Sequence, residues 1–340
     1  MSKTKKDLII IGAGLSGLYL ATLLREEFNV TILEARERLG GRILTQDGHD
    51  LGPSWIWSHQ KKILALTQEL NLELFSQYTI GEALYDSPSG VHRFNAPPSA
   101  PCARMVGGLD MLVQALFSKL DAQKIYKNEQ VEKVSYENYT IKVKTSTQEY
   151  RADYVLSTLA PRLAYESIEY EPALDSKIEK KLLDTPTWMG NISKCVIEFE
   201  EAFWKYEGLS GFIYSPLGPL GEIHDASTAD KAALFGFVYS KSSTADIIED
   251  VKAQMLRLFG HKAKSITNIY FTNWKNERFS SSTYDSKALS SHPDYGLTLS
   301  SFNDKLIFMG TETSFDNGGY LEGAIASALE VSKKLKLVSY

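Results

Sequence analysis

The sequence predicts an α/β fold: one domain on a parallel sheet with flanking helices, and a smaller β-rich α+β domain set beside it. Three observations predict this. An apolar run at 8–11 leads directly into "GAGLSG", with a helical pattern and a second apolar run after it. The segments "YTIKVKT", "YRADYVLSTLAP", "GFIYS" and "AALFGFVYS" have strand patterning. The chain has 340 residues, 43% hydrophobic and 23% charged, enough for two packed domains or one domain with an insertion.

The bulk numbers exclude several function classes. Lysine plus arginine (37) against aspartate plus glutamate (42) leaves a net charge of −5. No dense basic stripe follows Lys3, Lys5 and Lys6, so nucleic acid is not an expected partner. Cys102 and Cys195 cannot build a disulfide framework or a zinc set, and the six histidines show no pair at ligand spacing. No metal is expected, and a reducing, cytoplasmic location is. The start has too short an apolar run for a signal peptide, and the end, "EVSKKLKLVSY", lacks the ~20 apolar residues of a membrane span. A soluble protein with no membrane partner follows.

The first strand, 8–11, meets Gly12, Gly14 and Gly17 in the G-x-G-x-x-G spacing. Gly12 permits a tight turn, Gly14 lets backbone approach a pyrophosphate, and Gly17 lets the helix lie close on the strand. A helix over 16–27 turns Leu20, Leu23 and Leu24 toward the sheet, and its N-terminus, with Leu15 and Ser16, offers N–H groups to phosphate. The second strand, 30–33, ends in Glu34, at the spacing of a ribose-binding acid. This order is that of a Rossmann-like dinucleotide-binding domain, with NAD and FAD both open. "EARERLGGR" separates them, because Ala35, Arg36, Gly40, Gly41 and Arg42 resemble the second motif of FAD-dependent oxidases, in which the glycine pair approaches the cofactor and the arginine neutralises pyrophosphate.

In "ISKCVIEF" strand alternation puts Lys194 between Ile192 and Val196 on one face, with Ser193, Cys195, Ile197 and Phe199 on the other. Both faces are mostly apolar, so the lysine either snorkels from a sheet edge or is held for chemistry.

Over nearly its whole length the chain resembles the flavin-containing amine oxidase family, in a monoamine oxidase-like short form without the helical lid or a membrane anchor. "DLGPSWIW", with Ser54 and Trp55, is similar to the segment that passes the flavin, and Ile63, Leu66 and Leu70 give the next stretch helical spacing. "RMVGGLDMLVQALFSKL" resembles the return into the FAD domain, as an amphipathic helix on Leu109, Leu112, Val113, Leu116 and Leu120. "NEQVEKV" resembles the strand whose backbone, at Val131, meets the adenine. "ISKCVIEFEEAFW" matches the strand whose lysine holds a water against the flavin, with Phe203 and Trp204 as the following aromatic pair. In "MGTETSFDNGGYLEGAIASALE" a strand over 306–308 leads to Gly310 and Thr311 beside the ribityl chain. Tyr320 and Leu321 then open a helix toward the flavin pyrimidine.

The resemblance implies an FAD-dependent amine oxidase. An uncharged amine loses hydride equivalents to flavin N5, the imine is hydrolysed, and O2 takes the electrons to give H2O2. The implied catalytic residues are Lys194, Tyr320 and Tyr284. The expected partners are a small-molecule amine, O2 and, as a candidate homo-oligomer, a second copy of the chain. The implied domains are discontinuous: 1–79, 104–183 and 277–340 for FAD, and 80–103 with 184–276 for substrate. The segment 247–259 reads as an exposed helix.

The chain departs from the family in two places. "NWKNERFSSSTYD" has Thr283 where covalent members carry the flavin-bonded cysteine, so non-covalent FAD is expected. Tyr284 stands at the second cage position, either facing substrate or packed elsewhere. Between "HRFNAPPSAP" and "RMVGG" the helical lid is missing; Trp57 and Trp188 either fill the gap or are core aromatics. No arginine is clearly placed to hold a substrate carboxylate, which disfavours an amino acid and leaves only the loop arginines Arg93 and Arg104 for that role. Glu222 and Asp225 in "GEIHDAS" either line the entry of a polyamine or are solvated surface acids. Two rival readings share the nucleotide motifs: a desaturase or porphyrinogen-type oxidase, and a non-catalytic flavoprotein partner subunit.

Overall fold

The computed structural model describes residues 5–238, 244–287, 289–296 and 299–338. Lys3, and the last two residues of "AALFGFVYS", lie outside the described residues.

The apolar runs around the glycine turn form a six-stranded sheet in the order Ile125–Tyr126, Phe28–Leu33, Lys6–Ile11, Tyr154–Ser157, Leu306–Phe308, Leu299–Ser301. All neighbours are parallel except the last pair. Leu8 and Ile10 face a layer of helices, while Ile9 and Ile11 face the opposite side, as a period of two requires. The helical layer comprises Leu15–Leu24, Lys61–Glu69, Asp110–Phe117 and Leu321–Val338, packed through Leu20, Ile63, Leu112 and Ile325. The other side is covered by a four-stranded sheet of Glu149–Ala152, Thr140–Thr145, Val131–Glu137 and Glu169–Glu171. "YRADYVLSTLAP" is thus divided between two sheets, turning at Asp153, and its final proline starts the helix Pro161–Ser167.

A second body is a seven-stranded sheet in the order Ile266–Asn273, Ser193–Phe199, Ala232–Val238, Leu220–Asp225, Leu209–Tyr214, Glu82–Ser87, Gly90–Phe94. The helix Thr244–Phe259 covers its outer face, which corrects the expectation of an exposed helix. Ile247, Val251, Met255 and Leu258 recur at helical spacing and are buried against Cys195, Ile197 and Leu234. Full burial of each such side chain contributes ~1.5–3 kcal/mol, which explains why the stripe seeks the sheet despite the acids on its other face. The inner face packs Val196, Ala233, Phe235 and Tyr270 on Leu51 and Trp55. Residues 95–101, where a lid was expected to be missing, join Gly90–Phe94 to Cys102–Met105 without a helix. Arg104 lies on that strand rather than in a loop, is buried, and donates to the Ser227 carbonyl at 3.0 Å. Among the described residues no helix is long and apolar enough to cross a membrane.

Candidate active site

Lys194 is on the second strand of the seven, hydrogen-bonded on both sides, with Thr272 and Phe237 directly opposite it. A lysine on an interior strand cannot snorkel past a free edge. Its side chain crosses to the hairpin of Thr45–Gln46 and His49–Asp50 and the turn after it, where Nζ donates to the Gly52 carbonyl at 2.8 Å and to Ser54 Oγ at 2.5 Å. Nζ also lies 4.2 Å from the centre of the Phe235 ring. At 3% exposure, burial pulls its pKa down to about 7; the Asp50 carboxylate opposes this, and the Arg104 guanidinium adds to it. Asp50 is itself buried, with Oδ1 accepting from Thr45 Oγ1 at 2.7 Å and the Leu109 N–H at 2.8 Å, while Oδ2 has no partner. Burial pushes that carboxyl above its usual range.

The glycine turn forms a cradle beneath this region. Gly12 has φ +101°, and a Cβ there would stand 2.6 Å from Thr158 Oγ1. A Cβ on Gly17 would come within 2.1 Å of the Gly12 carbonyl, so the helix touches the turn. Gly14 pairs with Gly40 as an isolated parallel bridge, and a Cβ on Gly14 would meet only the Gly41 Cα, at 4.0 Å. Space therefore opens in front of the helix N-terminus at Leu15 and Ser16. Glu34, 3% exposed, accepts from the Ala13 N–H and the Arg36 N–H, both at 2.8 Å, so its carboxylate is fixed across the turn. Arg36 donates to Ser280 Oγ at 2.6 Å and lies 5.4 Å from the Phe279 ring centre, while its buried Nε has no partner. Ala35 joins these two residues at the sheet edge, and Val131, 5% exposed, begins the neighbouring strand. A glycine-lined opening, a fixed buried carboxylate and an orphaned guanidinium nitrogen fit a dinucleotide.

The third signature lies against the other two. Gly310 donates its N–H to Ser327 Oγ at 3.1 Å, and Thr311 Oγ1 donates to the Tyr320 carbonyl at 2.6 Å, just before the helix that Leu321 opens. Arg42, expected to neutralise phosphate, makes a bidentate pair with Glu312 at 2.5 and 3.1 Å. Burial acts to lower the pKa of this arginine, but Glu312 more than reverses that and holds it above its usual range. Glu312 is 1% exposed, so Arg42→Ala leaves a buried unpaired carboxylate. A loss of about 3 kcal/mol in urea denaturation of the cofactor-free protein is expected, recovered in part by adding Glu312→Gln.

The expected site residues fall into two groups. Lys194, Ser54, Trp55 and Trp57 form one, with the two indole centres 5.6 Å apart and Trp55 5.2 Å from Phe235. Tyr320 and Trp188 form the other, joined by His292, whose ring stacks on Tyr320 at 5.2 Å and 8° and lies 5.1 Å from Trp188. Tyr284 is in neither: it is 48% exposed, and its ring lies edge-on to Tyr165 at 6.0 Å. Thr283 donates to Glu166 through both its N–H and its hydroxyl.

Sequence reasoning missed Asp50, Phe235 and His292. Asp50 lay in a stretch already singled out, whereas a lone exposed histidine such as His292 carries no pattern. Also missed was His49, fully buried, with Nε2 3.5 Å from Glu198 Oε2. Burial lowers its pKa.

The family model "flavin containing amine oxidoreductase" matches residues 92–335, and one for NAD(P)-binding Rossmann-like domains matches residues 10–70. The chain is 23% identical to the probable flavin-containing monoamine oxidase A of Dictyostelium discoideum, with 98% of each chain covered. To flavin-containing amine oxidase B of Sus scrofa it is 21% identical, covering 98% of this chain and 86% of that one. The first alignment spans 449 positions, so the relative carries segments that this chain lacks. Among solved structures, wild-type putrescine oxidase bound to putrescine superposes with a TM-score of 0.82 at 18% identity, covering 98% and 99% of the two chains. Cyclohexylamine oxidase from Brevibacterium oxydans superposes with a TM-score of 0.83 at 17% identity, covering 98% and 100%.

Proposed function

This chain belongs to the flavin containing amine oxidoreductase family, and on that premise we propose that it is an FAD-dependent amine oxidase with O2 as acceptor. The observation that carries the proposal is Lys194, a buried lysine on an interior strand, aimed at the turn after the nucleotide motifs. When bound, the flavin would supply the two-electron acceptor that oxidation of an amine α-carbon requires, with O2 as the final acceptor and H2O2 as its product.

The residues of the chain hold and tune that chemistry. Gly12, Gly14 and Gly17, with Leu15 and Ser16 at the helix start, receive the pyrophosphate; Glu34 retains lone pairs for a ribose hydroxyl, and Arg36 and Arg42 retain N–H donors. Ala35, Gly40 and Gly41 give close backbone approach. The backbone at Val131 takes the adenine, and Ser54, Trp55, Gly310, Thr311 and Leu321 border the ring system. Lys194, with a pKa of about 7, is divided between its two protonation states near neutrality and holds a water and its proton on the reacting side. Tyr320 presents a ring to the amine, with Trp57 and Trp188 as pocket walls. Apolar rings disfavour the ammonium form, so the amine reacts uncharged. Tyr284 reaches the substrate only if it leaves Tyr165. The proposed domains are 1–79, 104–183 and 277–340 for FAD, and 80–103 with 184–276 for substrate, in a cytoplasmic protein.

Two measurements test the proposal. At least one simple amine is expected to bleach the yellow protein under nitrogen, with H2O2 formed on return of air. Failure of a broad amine panel to bleach it overturns the oxidase reading and favours a partner subunit. Acid precipitation is expected to release the colour, since Thr283 cannot form a thioether; a yellow pellet overturns non-covalent binding.

A further inference from the structure

The two acids in "GEIHDAS" part company in the fold. Along Leu220–Asp225, alternation sends Ile223 and Asp225 to the outer core. Asp225 is 2% exposed and saturated: Trp204 Nε1 and Ser227 Oγ donate to it at 2.9 Å, and Lys205 pairs with it at 3.3 Å. It is a structural acid and is closed to substrate. Glu222 and His224 face the other way, onto the side that carries Lys194.

Register fixes where. Lys194 is opposite Phe237, and Phe237 is opposite Glu222, so the three lie in one row across three strands. Two strand spacings put the backbones of Lys194 and Glu222 about 10 Å apart. The adjacent row is Val196, Phe235 and His224. The His224 ring is stacked between Phe212 at 5.1 Å and Phe235 at 5.4 Å, with Trp55 edge-on at 4.8 Å. Its Nε2 is 2.6 Å from Glu222 Oε1, which holds the carboxyl below its usual range. Glu222 Oε2 makes no hydrogen bond among the described residues, and the side chain is 41% exposed. The other carboxylate on this face, Glu198, is engaged by Tyr270 and Lys231.

We propose that Glu222, oriented by His224 within this aromatic wall, binds a second ammonium group of the substrate and makes diamines the preferred substrate class. This rests on the amine-oxidising reading above. The two ends of the site want opposite charge states. Beside Lys194 and Tyr320 the reacting nitrogen is uncharged, whereas the far nitrogen keeps its proton and meets a carboxylate. The methylenes between them lie along Phe237, which stands between Lys194 and Glu222 in the row and accepts hydrocarbon and cation alike. A monoalkylamine would leave Glu222 without that partner.

The test uses the flavin-loaded protein under nitrogen, with 1,5-diaminopentane and 1-aminopentane as probes, binding read by calorimetry and bleaching read separately. Wild type is expected to bind the diamine about 10-fold or more tighter, and Glu222→Gln to bring the two affinities together. Equal affinities in wild type, or a preference that survives Glu222→Gln, overturn the proposal. A diamine preference without bleaching by either probe keeps the site and overturns the oxidase reading. Bleaching without the preference does the reverse.

Discussion

Lys194→Met is expected to retain flavin, to slow turnover or reoxidation by about 100-fold or more, and to make the cofactor-free protein more stable near pH 6. Of the two changes from wild type, the first, in rate, follows from removing the only ionisable side chain among the described residues that reaches Gly52 and Ser54. Unchanged rates in both half-reactions would exclude a catalytic role for this side chain. The second effect follows from linkage. The folded pKa of about 7 lies below the ordinary lysine value of about 10.4, so between these values the unfolded chain binds a proton that the folded chain does not. Stability therefore rises with pH across this window, and below pH 7 the whole cost of burying the ammonium is present. Three units correspond to about 4 kcal/mol. Methionine removes that cost but strands the Gly52 carbonyl and Ser54 hydroxyl, which returns about 1–2 kcal/mol. A net gain of about 2 kcal/mol is expected in urea denaturation at pH 6, shrinking toward pH 10. A variant less stable than wild type at pH 6 would contradict the desolvation argument.

Gly14 and Gly17, three positions apart, should fail in opposite ways. Gly14 has φ −73°, a conformation any residue adopts, and open space where its Cβ would stand. Gly14→Val should fold with an unchanged melting temperature and lose flavin affinity by about 100-fold or more, because the added methyls occupy the phosphate opening. At Gly17 the added Cβ would meet the Gly12 carbonyl at 2.1 Å and Ile10 Cγ2 at 3.2 Å. Gly17→Ala should cost about 3 kcal/mol and melt several degrees lower whether or not flavin is present. Scanning calorimetry with and without flavin separates the two. Equal melting losses for both variants would show that the opening at Gly14 is merely a packing feature.

Much of the fold was legible because its signals are local. The helices and strands that carry the nucleotide motifs follow from apolar periodicity and from the glycine spacing, in which Gly12 and Gly17 have no room for a Cβ. The same logic reads the buried stripe of Thr244–Phe259, since Ile247, Val251, Met255 and Leu258 recur at helical spacing. Asp225 and Glu222 illustrate the boundary: alternation separates their faces, but only the fold reveals which face meets the core.

By itself the sequence determined that a lysine interrupts an apolar strand, that a glycine turn opens between strand and helix, and that an acid closes the second strand. These are properties of spacing, since a side chain's direction repeats every two residues in a strand and every 3.6 in a helix. Tertiary structure alone decided that the lysine's strand is interior, that its ammonium reaches Gly52 from 142 residues away, and that His292 rather than Tyr284 stacks on Tyr320. Periodicity orients a residue within its own element, whereas strand order and packing between remote segments choose what stands opposite, and that choice sets both the burial and the pKa of Lys194.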